Sequence, residues 1–283
     1  MRLLSRLAEL AACRGALSAG DGGGAAAVVI AGAPGIGKTS VWRAVADSWP
    51  AGVVLRTTGV AGGQAAFANL ADLLDPVAGR VLPLLPGPQA AALRAAVGLA
   101  AAEGPPGEAL LERAVVAALG GLARDGVMVA VDDEQWVDAD TGRLLAAAVV
   151  RLRDVPVRWL VAVRSGHADG GLARVLDHEL GERARRVDLA GLDDAALSEL
   201  ILGRVPGRWS PGVLRQVVAL AAGSPYAAVE LARETVARGG HDGAAVHLPS
   251  TLSGSLRARL DRLGPATLAV VQAAALAGAP TRG

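Results

Sequence analysis

Residues 32–39 read Gly32-Ala33-Pro34-Gly35-Ile36-Gly37-Lys38-Thr39. The stretch fits the pattern G-x-x-x-x-G-K-[ST] at every fixed position. Its chemistry is direct. Glycines let backbone N–H groups turn inward and approach phosphate oxygens closely. The helix that follows turns its positive end toward the same point. Lysine reaches the β- and γ-phosphates of a nucleotide, and the threonine hydroxyl ligates Mg²⁺. Of 28 basic residues only Lys38 is a lysine, and it occupies the one position where the loop requires it. Composition alone would supply the flanking matches roughly once in a thousand. The bland reading, a Gly-rich turn after a strand, falls on those odds. The candidate nucleotide-binding residues are therefore Gly32, Ala33, Pro34, Gly35, Ile36, Gly37, Lys38, Thr39 and the adjoining Ser40.

The flanking pattern gives the loop its context. Residues 25–31 form a continuous apolar run of the length of a buried parallel strand. The segment 38–49 reads as a helix. Further strands are expected at 53–57, 127–131 and 158–163, with a weaker one at 186–189. Residues 64–123 read as mostly helical, interrupted by Pro83, Pro86, Pro88 and the Pro105-Pro106 pair. Strands separated by helical stretches imply βαβ units and a parallel sheet covered on both faces. The expected fold class is α/β, with five parallel strands sandwiched by helices over residues 1–190. An N-terminal amphipathic helix is expected to present Leu3, Leu7, Leu10 and Leu17.

From Asp193 the pattern becomes helical only. Asp193, Ser210-Pro211 and Ser224-Pro225 each have the chemistry of a helix start. This predicts an all-helical appendage over 191–240. Residues 241–283 are expected to hold a linker, 241–249, and two amphipathic segments that do not complete a domain of their own.

A second chemical signal lies at the end of the strand 127–131, where Asp132-Asp133-Glu134 follows five apolar residues. In open α/β sheets the ligand crevice lies outside the carboxyl ends of the strands. Asp132 would hold Mg²⁺ through water. Asp133 would orient or deprotonate an attacking water, and Glu134 competes for that role. Arg164 ends the fourth strand at the same edge, where a guanidinium is suited to sense a γ-phosphate. An ordinary surface arginine is the plainer reading it competes with. Trp136 reads as an aromatic anchor beside the acidic turn or, more plainly, as a packing residue, and Phe67 reads as core.

Composition sets the outer limits. Apolar residues make up 52% of the 283 and charged residues 19%, which describes a folding chain. A formal charge of +1 gives no general drive toward nucleic acid or anionic membranes. The single cysteine, Cys13, excludes a disulfide framework within the chain and a multi-cysteine zinc site. Unbroken apolar runs are far shorter than the roughly 20 residues that span a bilayer. These features predict a soluble, cytoplasmic protein.

Taken together, these residues resemble the N-terminal ATPase module of the large ATP-binding regulators of the LuxR type. Those are signal-transduction ATPases with numerous domains (STAND), relatives of the AAA+ class of P-loop NTPases. The likeness is carried by Ser5-Arg6-Leu7-Ala8-Glu9-Leu10 at the start, the 32–39 loop, and Phe67-Ala68-Asn69-Leu70-Ala71-Asp72-Leu73-Leu74. Further on it is carried by Asp132-Asp133-Glu134-Gln135-Trp136-Val137-Asp138, Val161-Ala162-Val163-Arg164-Ser165, Gly223-Ser224-Pro225 and Arg259-Leu260-Asp261-Arg262-Leu263. The resemblance implies a P-loop core at 1–190, a helical lid at 191–240 and, within 241–283, the start of a winged helix. It also implies that Pro225 lies near adenine. Ser5 departs from the family's opening glycine. The winged helix, repeat sensor and helix-turn-helix of such regulators are not complete here, so the chain reads as a truncated member.

The function implied is a nucleotide switch with slow Mg²⁺-dependent ATP hydrolysis. The alternatives are a free-standing P-loop enzyme, such as a small-molecule kinase, and an ATP-binding scaffold without turnover. Expected partners are ATP and ADP, with self-association open. DNA would be reached only through a C-terminal domain that this chain lacks, and no membrane partner is expected.

Overall fold

The strands follow from hydropathy and end at the candidate residues. In the computed structural model they are β1 (Ala26–Gly32), β2 (Val53–Thr58), β3 (Val127–Asp132), β4 (Val157–Arg164) and β5 (Ala184–Leu189). The structure describes residues 6–18, 23–50, 52–100, 107–167, 171–239, 267–268 and 270. All pairings are parallel, in the order β2-β3-β4-β1-β5. Apart from Arg158, Asp132 and Arg164 the three inner strands are apolar without alternation because both of their faces are covered, and they are buried except for the half-buried Arg164. The edge strands β2 and β5 expose alternate residues. The expected α/β fold with a five-stranded parallel sheet is the one observed.

The helices of this unit are α1 (Leu7–Ser18), α2 (Lys38–Asp47), α3 (Ala68–Leu74), α4 (Ala78–Val81), α5 (Gly87–Ala96), α6 (Glu108–Leu122), α7 (Ala139–Arg151) and α8 (Gly171–Leu180). Successive strand residues point to opposite faces, so one strand feeds two cores. Val28, Ile30, Met128, Ala130, Leu160 and Ala162 pack with Leu10, Cys13 and Leu17 of α1 and Val41, Trp42 and Val45 of α2. Val29, Val129, Val131, Trp159, Val161 and Val163 pack on the other face with Leu111, Leu119, Leu145 and Leu176. Each such aliphatic side chain contributes about 1.5–3 kcal/mol by leaving water.

The N-terminal helix differs from its expectation. Leu10, Cys13 and Leu17 form its buried face, while Leu7 is 61% exposed. At about 100° per residue the three buried positions fall in an arc of about 60°, and Leu7 lies beyond its edge. Cys13, which the expected leucine face did not include, is fully buried instead. Leu3 lies outside the described residues. Trp136 also departs from its packing role, being 41% exposed.

The chain divides into two units, 1–190 and 191–283. The second contains α9 (Asp194–Arg204), α10 (Pro211–Ala221) and α11 (Pro225–Ala237) around Leu197, Ile201, Val213, Val217 and Leu231. Asp193, Ser210 and Ser224 cap the three helices with their side chains, accepting from Ala196, Val213 and Ala227 N–H groups. The expected linker at 241–249 lies outside the described residues. So does the winged-helix start, apart from residues 267, 268 and 270.

Candidate functional site

Parallel pairing brings every strand's C-terminal end to one edge of the sheet. There β1 lies beside β4, with Gly32 opposite Arg164. On its other side β4 lies beside β3, which ends at Asp132. Three separate sequence signals thus meet on three adjacent strands.

The loop after β1 is shaped by its glycines. Gly35 has φ 73° and Gly37 φ 103°, a region that side chains disfavour. A Cβ on Gly32 would come within 2.8 Å of Ile36 Cγ2 and 3.3 Å of Leu189 Cβ. Gly37 stands at the start of α2 with no side chain to close it. In contrast, α7 is closed by Asp138, which accepts from Thr141 N–H. The leading N–H groups of α2 have no carbonyl one turn earlier within the helix, so the turn is built for an acceptor from outside.

Lys38 is 7% exposed, and its Nζ donates to the carbonyls of Gly32 and Ala33, both at 3.2 Å. Burial lowers its pKa. The Asp133 charge opposes that shift, Arg164 adds to it, and Asp132 opposes it. These three groups therefore lie within electrostatic reach of the ammonium. Asp132 is 2% exposed. Burial raises its pKa, the Thr39 hydroxyl works the other way, and the neighbouring Asp133 charge adds to the rise. Thr39 itself is exposed at the loop, and Ser40 donates its N–H to Gly37 O at 3.1 Å.

The donor set fits a hard divalent cation bound together with phosphate. Thr39 and Asp132 offer a hydroxyl and a carboxylate, the hydroxyl near enough to act on the charge of the acid. Mg²⁺ is held by one or two such oxygens, with substrate phosphates and water completing its shell.

The acidic turn separates its two candidate acids. Asp133 has φ 48° and donates its N–H to Asp132 Oδ1 at 3.0 Å. Its carboxylate accepts from Gln135 Nε2 at 2.9 Å. Glu134 turns instead to α8, where its Oε1 accepts from Leu172 N–H at 2.7 Å. Burial pushes its carboxyl above the usual glutamate range despite that bond. Gly171, at φ 58°, leaves the room this needs, since a Cβ there would collide with Glu134 Oε1. Glu134 also lines a cavity of about 690 Å³ together with Val137, Arg143, His167 and Leu172. The structure thus brings Lys38, Thr39, Asp132, Asp133 and Arg164 together and directs Glu134 elsewhere. Pro225 belongs to the second unit, where it opens α11.

Several supporting residues were not singled out by the sequence. Arg6 is buried, and its Nη2 donates to Ile36 O in the loop at 3.2 Å and to Ala190 O at 2.7 Å. Asn69, fully buried, donates its N–H to Asp138 Oδ2 and its Nδ2 to Thr57 Oγ1, and accepts from Asp138 N–H. Asp138 also accepts from Phe67 N–H at 3.0 Å. This network ties β2, α3 and α7 behind the acidic turn. Gly59 lets the chain after β2 pass close by, because a Cβ there would lie 2.5 Å from Asp133 O. The motif letters held these residues, but no local rule predicts bonds between positions 12 to 184 apart.

Among the described residues no helix is long and apolar enough to cross a membrane. No curated protein sequence matches the chain. Among solved structures it is similar to a Signal Transduction ATPase with Numerous Domains (STAND) protein with a tetratricopeptide repeat sensor from Pyrococcus horikoshii. The identity is 18%, with 77% of this chain covered and a TM-score of 0.43. The chain spans 28% of that protein's length. It is also similar to a point mutant of RuvB from Thermotoga maritima, at 16% identity over 89% of this chain and 69% of that one, with a TM-score of 0.45. The model of the AAA ATPase domain matches residues 2–161, which include the loop, Asp132 and the acidic turn. With its parallel sheet and its nucleotide loop, the chain belongs to the AAA ATPase domain family.

Proposed function

We propose that the chain is the Mg²⁺-ATP-binding switch module of a signal-transduction ATPase of the LuxR-regulator type, with slow hydrolysis. In this reading residues 1–190 form the nucleotide-binding core, 191–240 the lid, and 241–283 the linker and winged-helix start. The observation that carries the proposal is the position of Lys38. The sole lysine is buried against loop carbonyls, with Asp132, Asp133 and Arg164 acting on its charge.

Each residue then has one task. Residues 32–40 cradle the phosphates, the leading N–H groups of α2 at Lys38 and Thr39 donating to phosphate oxygens, and Lys38 answers the β- and γ-phosphate charge. Thr39 and Asp132 hold Mg²⁺, which when bound neutralises phosphate charge. Asp133 orients an attacking water and accepts its proton. Arg164 senses the γ-phosphate at the end of β4, and Pro225 lies near adenine. The partners are ATP and ADP. The family match supports nucleotide binding.

Calorimetric titration with ATP and ADP, with and without Mg²⁺, tests the binding, and phosphate release under single-turnover conditions tests the hydrolysis. Absence of Mg²⁺-dependent ATP binding by the folded chain would overturn the reading. Binding with no phosphate release would leave a scaffold in its place.

A further inference from the structure

Gln135 makes two side-chain hydrogen bonds, and they run in opposite directions. Its Nε2 donates to Asp133 Oδ1 at 2.9 Å, and its Oε1 accepts from Arg164 N–H at 3.0 Å. The two partners settle the amide's orientation, because a carboxylate can only accept and a backbone N–H can only donate. One amide therefore joins the acid of the turn after β3 to the terminal residue of β4. Asp133 stands at a left-handed φ of 48°, which non-glycine residues seldom adopt. Such a conformation persists when the surroundings over-determine it. Here Asp132 Oδ1 accepts from Asp133 N–H, Trp136 N–H donates to Asp133 O at 2.9 Å, and Gln135 Nε2 donates to the side chain. Glu134, one residue away, has no part in this arrangement and is taken by Leu172.

We propose that Gln135 is a positioning residue: it holds the Asp133 carboxylate toward Lys38 and locks the acidic turn to the Arg164 end of β4, so that the water-activating acid and the γ-phosphate sensor move as one. The proposal rests on the nucleotide reading above for its consequence, and on the two bonds for its geometry. A shift of Arg164 on meeting a γ-phosphate passes to Asp133 through a single side chain. The bridging group must both donate and accept, which an ionised carboxylate, an ammonium or a guanidinium cannot do.

Two variants separate the two bonds. Gln135→Leu removes both. Gln135→Glu keeps an oxygen for Arg164 N–H and replaces the donor facing Asp133 with a second acceptor. Amide hydrogen exchange of the nucleotide-free chain reads the first bond. Gln135→Leu is expected to speed exchange at Arg164 by about tenfold or more, the factor that corresponds to about 1.4 kcal/mol, while Gln135→Glu leaves it protected. Calorimetry and single-turnover phosphate release read the second. Both variants are expected to bind Mg²⁺-ATP within about threefold of the unaltered chain and to hydrolyse it about ten- to a hundredfold more slowly, the usual scale for a residue supporting a reactive group.

Unchanged exchange at Arg164 in Gln135→Leu, or full hydrolysis in either variant, overturns the proposal. So does a loss of affinity that matches the loss of turnover, which would mark a structural role alone. If the unaltered chain binds no nucleotide, the function proposed above falls, and the exchange experiment still decides whether Gln135 joins the two strand ends.

Discussion

Asn69 and Asp138 hydrogen-bond to each other in both directions. Asn69 N–H donates to Asp138 Oδ2 at 3.0 Å, and Asp138 N–H donates to Asn69 Oδ1 at 2.9 Å. Both residues are buried, and the pair fastens α3 to the start of α7. Truncating Asn69 leaves Asp138 N–H without its acceptor and Thr57 without its donor. An unsatisfied buried polar group costs about 1–3 kcal/mol. Asn69→Ala is therefore expected to lose about 2–4 kcal/mol of stability. At about 2–4 °C per kcal/mol for a unit of this size, melting falls by about 4–16 °C. Thermal unfolding followed by circular dichroism checks this, and a shift under 2 °C would show that the network is dispensable.

Lys38→Ala should separate binding from folding. The ammonium's two acceptors in the apo chain are loop carbonyls beside solvent-facing Ala33, so melting without nucleotide should change by only a few degrees. Mg²⁺-ATP affinity should fall by about a hundredfold or more, since a charge-assisted contact is lost in a cradle built for it. In the unaltered chain, ATP at about 100 times its dissociation constant adds about 2.7 kcal/mol. The variant at the same concentration should show almost none of that gain.

The three acids should part by role. Asp132→Asn is expected to weaken only the Mg²⁺-dependent share of ATP binding. Asp133→Asn should keep affinity and slow hydrolysis by about 10²–10⁴-fold, the scale of a lost general base. Glu134→Gln should leave turnover within about threefold, because that carboxylate is spent on Leu172 N–H. Phosphate release from all three, read beside calorimetry, decides the matter. Loss of turnover in Glu134→Gln alone would transfer the base to Glu134.

Asp132 also predicts a pH dependence of the nucleotide-free chain. Burial raises its pKa. Folded chain therefore keeps the proton at pH values where unfolded chain has released it, so stability falls as pH rises through that window. The window opens at the ordinary aspartate value, about 3.9, and extends to the raised one, and the deficit persists above it. Asp132→Asn removes the deficit while its amide oxygen can still accept from Asp133 N–H. It should melt higher than the unaltered chain at pH 7.5, with the difference narrowing only as pH falls through that window toward the ordinary aspartate value. A difference independent of pH would exclude burial of the charge as its source.

Cys13 is fully buried under α1, and burial pushes its thiol up to about 11, with the Glu9 charge adding to the shift and Arg14 opposing it. The thiolate is the nucleophile, so the folded chain should resist alkylation at pH 8. Modification should proceed at the rate at which the helix opens and should become complete in denaturant. Rapid labelling of the native chain, followed by mass spectrometry, would show that α1 does not stay seated on β1.

The loop was legible in the sequence because its requirements are local. Glycine φ values, one lysine and one hydroxyl sit within eight residues, and the apolar run before them can only be a strand covered on both faces. Asp132 was legible for the same reason, as the first polar residue after a buried strand. Strand order lay beyond local pattern, yet it is what sets β1 beside β4 and so places Arg164 opposite Gly32. The direction of each acidic side chain was likewise decided in the fold. Asp133 and Glu134 are adjacent and chemically alike, and their partners distinguish them: for one, Gln135 of the same turn, which distant Arg164 of β4 holds by its N–H, and for the other, distant Leu172. The same holds for Arg6 reaching Ile36 O, for Asn69 meeting Asp138, and for the burial of Cys13 and exposure of Leu7 on α1. Periodicity and motif spacing report what a residue needs from its neighbours in sequence. A buried hydrogen bond between segments depends on which of them the sheet brings together, and that is a property of the tertiary structure alone.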